Sequence, residues 1–147
     1  MKIKMKKLKP NAIIPSYAYP GDAGMDLFST DNYLIKPSKR LLISTGIAVE
    51  IPEGYELQIR PRSGLALKKG ISIVNTPGTL DSGYRGEIGV ILINHGEEDF
   101  GINEGDKIAQ AVLNKIEIAE VEEVEELSET RRGSGGFGST GIKKLPS

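Results

Sequence analysis

The stretch Asn75–Glu87, NTPGTLDSGYRGE, gathers more chemistry than any other of its length in the chain. Thr76-Pro77-Gly78 is a turn signal, because Pro sets φ and Gly tolerates positive φ. Asp81-Ser82-Gly83 is a second turn signal, and Ile88–Asn94 is an apolar run of strand length. The simplest backbone is a β-hairpin with Asp81 at or near its tip. Such a hairpin offers one ligand a carboxylate from Asp81, a ring from Tyr84, a guanidinium from Arg85 and free backbone groups. Taken alone, Asp-Ser-Gly is also ordinary turn chemistry, since Asp side chains cap nearby backbone donors.

Two other stretches suit phosphate. In Arg62-Ser63-Gly64, Ser63 is a good N-cap for a short helix over Gly64–Lys69, and helix N-termini favour anions. The same residues read equally well as a cap and a surface charge. The second stretch is glycine-rich, Gly133–Gly141. Gly133, Gly135 and Gly138 fit the dinucleotide spacing G-x-G-x-x-G, but that fingerprint must open a helix inside a unit of about 30 residues. Only nine residues follow Gly138. No Lys precedes Ser139-Thr140, so a Walker A loop fails too. What survives is local: glycines that admit phosphate oxygens to backbone N–H groups, hydroxyls from Ser139 and Thr140, and the fork of Arg132. Phe137 is the large apolar side chain of this segment and has no evident core to fill. The segment is costly to order, about 1–2 kcal/mol per residue, and is expected to be mobile until a ligand binds; a disordered tail is the plainer alternative.

With these stretches in order, the chain resembles the trimeric dUTPases, enzymes that hydrolyse dUTP to dUMP and pyrophosphate. The motifs carrying the resemblance are Ala23–Ser29 (AGMDLFS), Pro61–Ala66 (PRSGLA), Asn75–Glu87, Gly105–Gln110 (GDKIAQ) and Arg132–Gly141 (RGSGGFGSTG). The resemblance implies that Asp81 orients and activates the attacking water. It implies that Asp26 faces a Mg²⁺ carried by the triphosphate, through water and without direct ligation, and that Gln110 holds the water or an α-phosphate oxygen. Arg62, Ser63, Gly64, Arg132, Gly138, Ser139 and Thr140 would hold phosphates. Asn75, Gly78, Leu80 and Asp81, largely through backbone, would read uracil. Tyr84 would sit under the deoxyribose and exclude a 2′-hydroxyl, and Phe137 would stack on the base. It further implies a jelly-roll fold, a homotrimer with sites shared between subunits, and a role in limiting uracil incorporation and supplying dUMP for thymidylate synthesis. Arg85 is expected to tie strands or subunits together.

Gly83 and Ser134 stand where many relatives carry acids, and neither is an assigned site position. The related dCTP deaminases carry a catalytic Glu that would fall at Ile91 here, and isoleucine transfers no proton. A non-enzymatic nucleotide sensor is the rival of another class, and Asp81 with Gln110 argues for turnover.

The rest of the chain must position these groups. Its 147 residues suit a single domain, 1–147, with residues 131–147 as the mobile arm. With 18 Gly and 8 Pro, the chain is cut into brief segments, the mark of an all-β sandwich or barrel. Strands are expected at Lys2–Lys9, Met25–Ser29, Tyr33–Lys36, Arg40–Ile51 (with a possible break at Gly46), Tyr55–Arg60, Ile71–Val74, Ile88–Asn94 and Lys107–Lys115. Ile116–Leu127 is acidic; its opening Ile116-Glu117-Ile118 alternates like a strand, and irregular chain is expected after it. A net charge of −1 gives no general grip on nucleic acid. There is no cysteine, and a single histidine argues against a histidine-rich zinc site. No apolar run reaches the about 18 residues of a membrane span, and the basic N-terminus lacks the apolar core of a secretory signal. A soluble, cytoplasmic protein is expected.

Overall fold

The computed structural model describes residues 1–144 and 146. Its strands are β1 (Lys4–Lys7), β2 (Ser16–Tyr17), β3 (Gly24–Phe28), β4 (Tyr33–Ile35), β5 (Arg40–Glu50), β6 (Tyr55–Arg60), β7 (Ile71–Ile73), β8 (Gly78–Leu80), β9 (Glu87–Asn94), β10 (Phe100–Ile102) and β11 (Lys107–Lys115). The helix α1 (Ser63–Lys69) follows β6. One sheet has the order β1-β5-β9-β7, a second β2-β3-β11-β6-β8, and β10-β4 form a short pair. Every ladder is antiparallel. The expected all-β, jelly-roll-like fold with one short helix is the fold observed.

Alternation along the strands makes the core. On β9, Ile88, Val90, Leu92 and Asn94 point inward. On β3, Met25 and Leu27 are buried while Asp26 faces the other way. Leu27, Leu57 and Leu92 are fully buried, each worth about 1.5–3 kcal/mol of transfer free energy. On β11 the register against β3 shifts between Lys107 and Ala109. The shift lets Ile108 and Ala109 both go inside. From there the alternation places Ala111 inside and Gln110 on the outer face with Asp26.

Five expectations need correction. Asn75–Glu87 is not a β-hairpin: β8 pairs with β6 and β9 pairs with β5 and β7, so the stretch crosses from one sheet to the other. Gly78 does not use positive φ; it is buried in β8, and a Cβ there would lie 3.3 Å from the Ile59 Cβ. Ser63 is not the N-cap. Arg62 holds the cap position in an extended conformation and makes no side-chain cap bond. Its carbonyl accepts from the Ala66 N–H, so the Ser63 hydroxyl plays no capping part. Finally, Ile116–Ile118 is not a strand. β6 begins at Tyr55, opposite Lys115, and the Ile116 N–H finds only the Gly54 carbonyl of the preceding turn. Beyond it the ladder has no partner, and Ile118 and Val121 are exposed. Gly46 does not break β5; it sits in a register shift between Ser44 and Ala48.

Candidate active site

Five expected residues converge in one cleft. Asp26, Arg62, Ser63, Gly64 and Gln110 line a depression of about 350 Å³ together with Gly24 and Asp22. β3 and β11 supply the floor. Gln110 pairs with Asp26 across one ladder and with Arg60 across the other. The end of β6 then delivers Arg62 and the first turn of α1.

The electrostatics centre on Asp26. Its side chain is only 15% exposed, and Lys107 Nζ lies 2.9 Å from one carboxylate oxygen. Arg62 Nε lies 3.8 Å from the other. Arg62 also reaches the Lys107 carbonyl, at 3.4 Å. The cleft therefore holds one carboxylate bracketed by two cations, a charge pattern suited to a polyanion accompanied by a metal cation. Lys107 had no role in the sequence reading, although it lies inside the Gly105–Gln110 motif. The missed signal was the bulge: Lys107 precedes the register shift, and only the folded ladder turns its side chain toward Asp26.

Gln110 is held tightly. Its amide nitrogen donates to the Pro61 carbonyl at 2.8 Å. Its amide oxygen lies against Gly24, where any Cβ would collide with it. Gly24 thus admits the Gln110 side chain across β3.

A second group lies at the β8 edge. Asn75, Asp81 and Tyr84 are exposed, Leu80 is half-buried and Gly78 is buried. The Asp81 carbonyl accepts the Tyr84 N–H at 3.1 Å, closing the turn. Arg85 donates to the Ser82 and Tyr84 carbonyls at 2.7 and 3.0 Å and lies 3.6 Å from Glu50. It ties the turn to the end of β5, as a structural role requires. Ile91 sits on the outward side of β9, opposite Leu42.

The third group is the C-terminal segment. The hydrogen bonds of the described residues from 130 on stay inside it, including Arg132 Nε to the Gly135 carbonyl at 2.9 Å. Phe137 is fully exposed and takes a left-handed φ of 49°. Gly138, Ser139 and Thr140 are exposed around it.

The first two groups lie apart within one chain. Leu80 pairs with Leu57, so Asp81 continues toward Glu56, which is opposite Asn114. From Gln110 that is four residues along β11 and two strands across, about 17 Å at ordinary strand spacings.

The dUTPase family model matches residues 10–141. A deoxyuridine 5′-triphosphate nucleotidohydrolase of Clostridium tetani is 60% identical over 139 residues, covering 95% of this chain and 96% of that protein. The corresponding protein of Wolinella succinogenes is 62% identical over 141 residues, covering 96% and 95%. Among solved structures, a Staphylococcus bacteriophage 80alpha dUTPase with dUPNHPP superposes with a TM-score of 0.89 at 31% identity, covering 96% of this chain and 99% of that one. A dUTPase of phage phi11 of S. aureus, described as coordinating a structural Mg(II) ion, gives a TM-score of 0.80 at 31% identity, covering 86% and 98%.

Proposed function

The chain belongs to the dUTPase family and is a dUTP diphosphatase, and on that premise we propose how its residues divide the work of hydrolysing dUTP to dUMP and pyrophosphate. The observation that carries the reading is the convergence of Asp26, Gln110, Arg62 and Ser63 in one cleft, with Asp81 about 17 Å away. A site that needs both groups is completed between subunits. We infer a homotrimer in which one subunit supplies Asn75–Tyr84, a neighbour the Arg62–Gln110 cleft, and the third the arm 131–147.

Two surface features support association. Among the described residues β1 is an edge strand; its Lys4 pairs with Glu50 and its Lys6 is exposed. The exposed run after β11 is rich in Glu and presents Ile118, Val121 and Leu127, 80%, 91% and 87% exposed. Apolar side chains so exposed in an acidic segment suit a surface of another copy.

In the reaction, a water oxygen attacks the α-phosphorus while the Asp81 carboxylate takes its proton. The bond from the α-phosphorus to the bridging oxygen breaks, and pyrophosphate carries away the electron pair. A positioned carboxylate base contributes about 10²–10⁴-fold. Arg62, with the Ser63 hydroxyl and Gly64 N–H beside it, holds phosphate oxygens. Gln110, fixed by Pro61 and Gly24, orients the water or an α-phosphate oxygen. Arg132, Gly138, Ser139 and Thr140 close on the phosphates, and Phe137 covers the base. Asn75, Gly78, Leu80 and Asp81 read uracil, and Tyr84 forms the floor under the deoxyribose.

The residues present fit Mg²⁺ carried by the triphosphate. No three His, Cys, Asp or Glu cluster among the described residues of one chain. Asp26 is already engaged by Lys107 and Arg62, which suits contact through water rather than direct ligation. When bound, Mg²⁺ neutralises charge developing on the phosphate oxygens.

The consequence is removal of dUTP before it enters DNA and supply of dUMP for thymidylate synthesis, in the cytoplasm. No helix among the described residues is long and apolar enough to cross a membrane. The test is pyrophosphate release with Mg²⁺ from dUTP, UTP, dCTP and dTTP, with ammonia followed for dCTP. Release from dUTP alone is expected; silence on all four overturns the reading, and ammonia from dCTP overturns the inference from Ile91.

A further inference from the structure

The chain leaving the Asp81 turn is pinned at an irregular point of the other sheet. β5 and β9 run in register from Arg40↔Ile93 to Ser44↔Gly89, then shift before Ala48↔Glu87. Such a shift costs ladder bonds. The Gly46 N–H, inside the bulge, donates to the Glu87 carboxylate at 2.8 Å. The Ser44 hydroxyl donates to the same oxygen. Ser44 is itself fixed by the Thr30 hydroxyl at 3.1 Å. At its other end, Glu87 offers its main-chain carbonyl to the Tyr84 hydroxyl at 2.9 Å. Gly86 lies under the ring between them, where a Cβ would collide with the hydroxyl-bearing end of Tyr84.

Glu87 therefore joins two things. Its side chain is held in the β5 bulge by charge-assisted hydrogen bonds, and its backbone holds Tyr84. Tyr84 is 43% exposed, and its hydroxyl is tied to the Glu87 carbonyl. Steric rejection of one added hydroxyl works only against a floor that cannot yield.

We propose that Glu87 is a specificity-determining positioning residue: anchored by Gly46 and Ser44, it fixes Tyr84 and thereby sets discrimination between deoxyribose and ribose nucleotides. The proposal rests on the reading that Tyr84 lies under the sugar. Glu87 touches neither substrate nor water in this scheme and acts through Tyr84 alone.

The test is the ratio of kcat/KM for dUTP to that for UTP, measured with the melting temperature, in the full-length enzyme and in Glu87→Ala, Glu87→Gln, Gly86→Ala and Tyr84→Ala. Glu87→Ala and Gly86→Ala should each lower the ratio by about tenfold or more, while Glu87→Gln, whose amide oxygen still accepts from Gly46, should stay within about threefold of the parent. A purely structural Glu87 would lower the melting temperature and scale both substrates together. If Tyr84→Ala lowers the ratio and Glu87→Ala and Gly86→Ala do not, the proposal is overturned while the sugar reading stands. An unchanged ratio in Tyr84→Ala overturns the sugar reading and this proposal with it. Should Glu87→Ala fail to fold, Ser44→Ala removes one of its two anchors and must lower the ratio in its place.

Discussion

Gln110 stands directly opposite Asp26 in the β3–β11 ladder, and its amide oxygen rests on Gly24, two residues before that aspartate. The cleft thus depends on a glycine that contributes no functional group. Gly24→Ala would push Gln110 off its seat while leaving its bond to Pro61 to compete for a new rotamer. Displacing a catalytic group by even 1 Å can cost about 10²-fold. The expected outcome is a fall in kcat/KM for dUTP of about 10–100-fold with little change in melting temperature. Normal kinetics in a folded Gly24→Ala enzyme would remove Gln110 from the site.

Asp81→Asn keeps the turn, because the turn is closed by the Asp81 carbonyl and by Arg85, not by the carboxylate. Binding of dUTP with Mg²⁺, followed by calorimetry, should survive. Turnover should fall by about 10²–10⁴-fold, the range of a general base. Turnover equal to the parent's would reassign the base.

Asp26→Asn tests the metal. The amide keeps the shape of the side chain but leaves Lys107 and Arg62 without their carboxylate. Outer-shell groups of this kind are worth about 10–100-fold in metal affinity. The Mg²⁺ concentration at half-maximal rate should rise by that factor, and a chelator should abolish turnover in both proteins. An unmoved Mg²⁺ titration curve would separate Asp26 from the metal.

Much of this was legible because strand alternation is a strong signal where one face is buried. Met25–Ser29 was expected as a strand, and in the folded strand Asp26 faces outward between the buried Met25 and Leu27. The Asp81 stretch was misread because its turn residues are those of a hairpin, while the identity of the partner strand depends on contacts far away in sequence. Ser63 was misread by one position, a shift that helix-cap chemistry cannot resolve when Arg and Ser adjoin. Lys107 was missed because its contact with Asp26 exists only after the β11 bulge forms. The separation of Asp81 from Gln110 has no local signature at all; it emerges from the register of β8 on β6 and of β6 on β11, and the proposed sharing of the site between subunits rests on it.

Lys9 and Asp31 link the bend after β1 to the turn before β4, 3.0 Å apart. The hydrogen bond from Lys9, then that from Thr30, holds the Asp31 carboxyl below its ordinary value of 3.8. The same bond to Asp31 raises Lys9 above its ordinary 10.5. The depressed acid contributes stability above pH 3.8 that is lost as pH falls through its folded value. The raised base contributes stability below pH 10.5 that is lost as pH climbs through its folded value. The melting-temperature difference between the parent and Lys9→Met should therefore be flat between those limits and shrink outside both. A difference that instead changes across neutral pH would show that another group titrates with this pair.

The arm gives the last prediction. Its described residues bond only among themselves, and Phe137 buries nothing against the body. Ordering such a segment costs about 1–2 kcal/mol per residue, and stacking one ring on a base returns only about 1–3 kcal/mol. Phosphate contacts from Arg132, Ser139 and Thr140 must supply the remainder, so closure requires the triphosphate. A chain ending at Arg131 should keep its oligomeric state by light scattering and its melting temperature, yet lose most dUTP hydrolysis. Phe137→Ala should weaken dUTP binding by about 5–150-fold, the equivalent of the stacking energy. In the full-length protein, trypsin should cut at Arg131 or Arg132 without ligand and be slowed by a non-hydrolysable dUTP analogue with Mg²⁺, but not by dUMP. Full activity in the truncated chain would show that the site closes without the arm, and protection by dUMP would show that the base, not the phosphate chain, orders it.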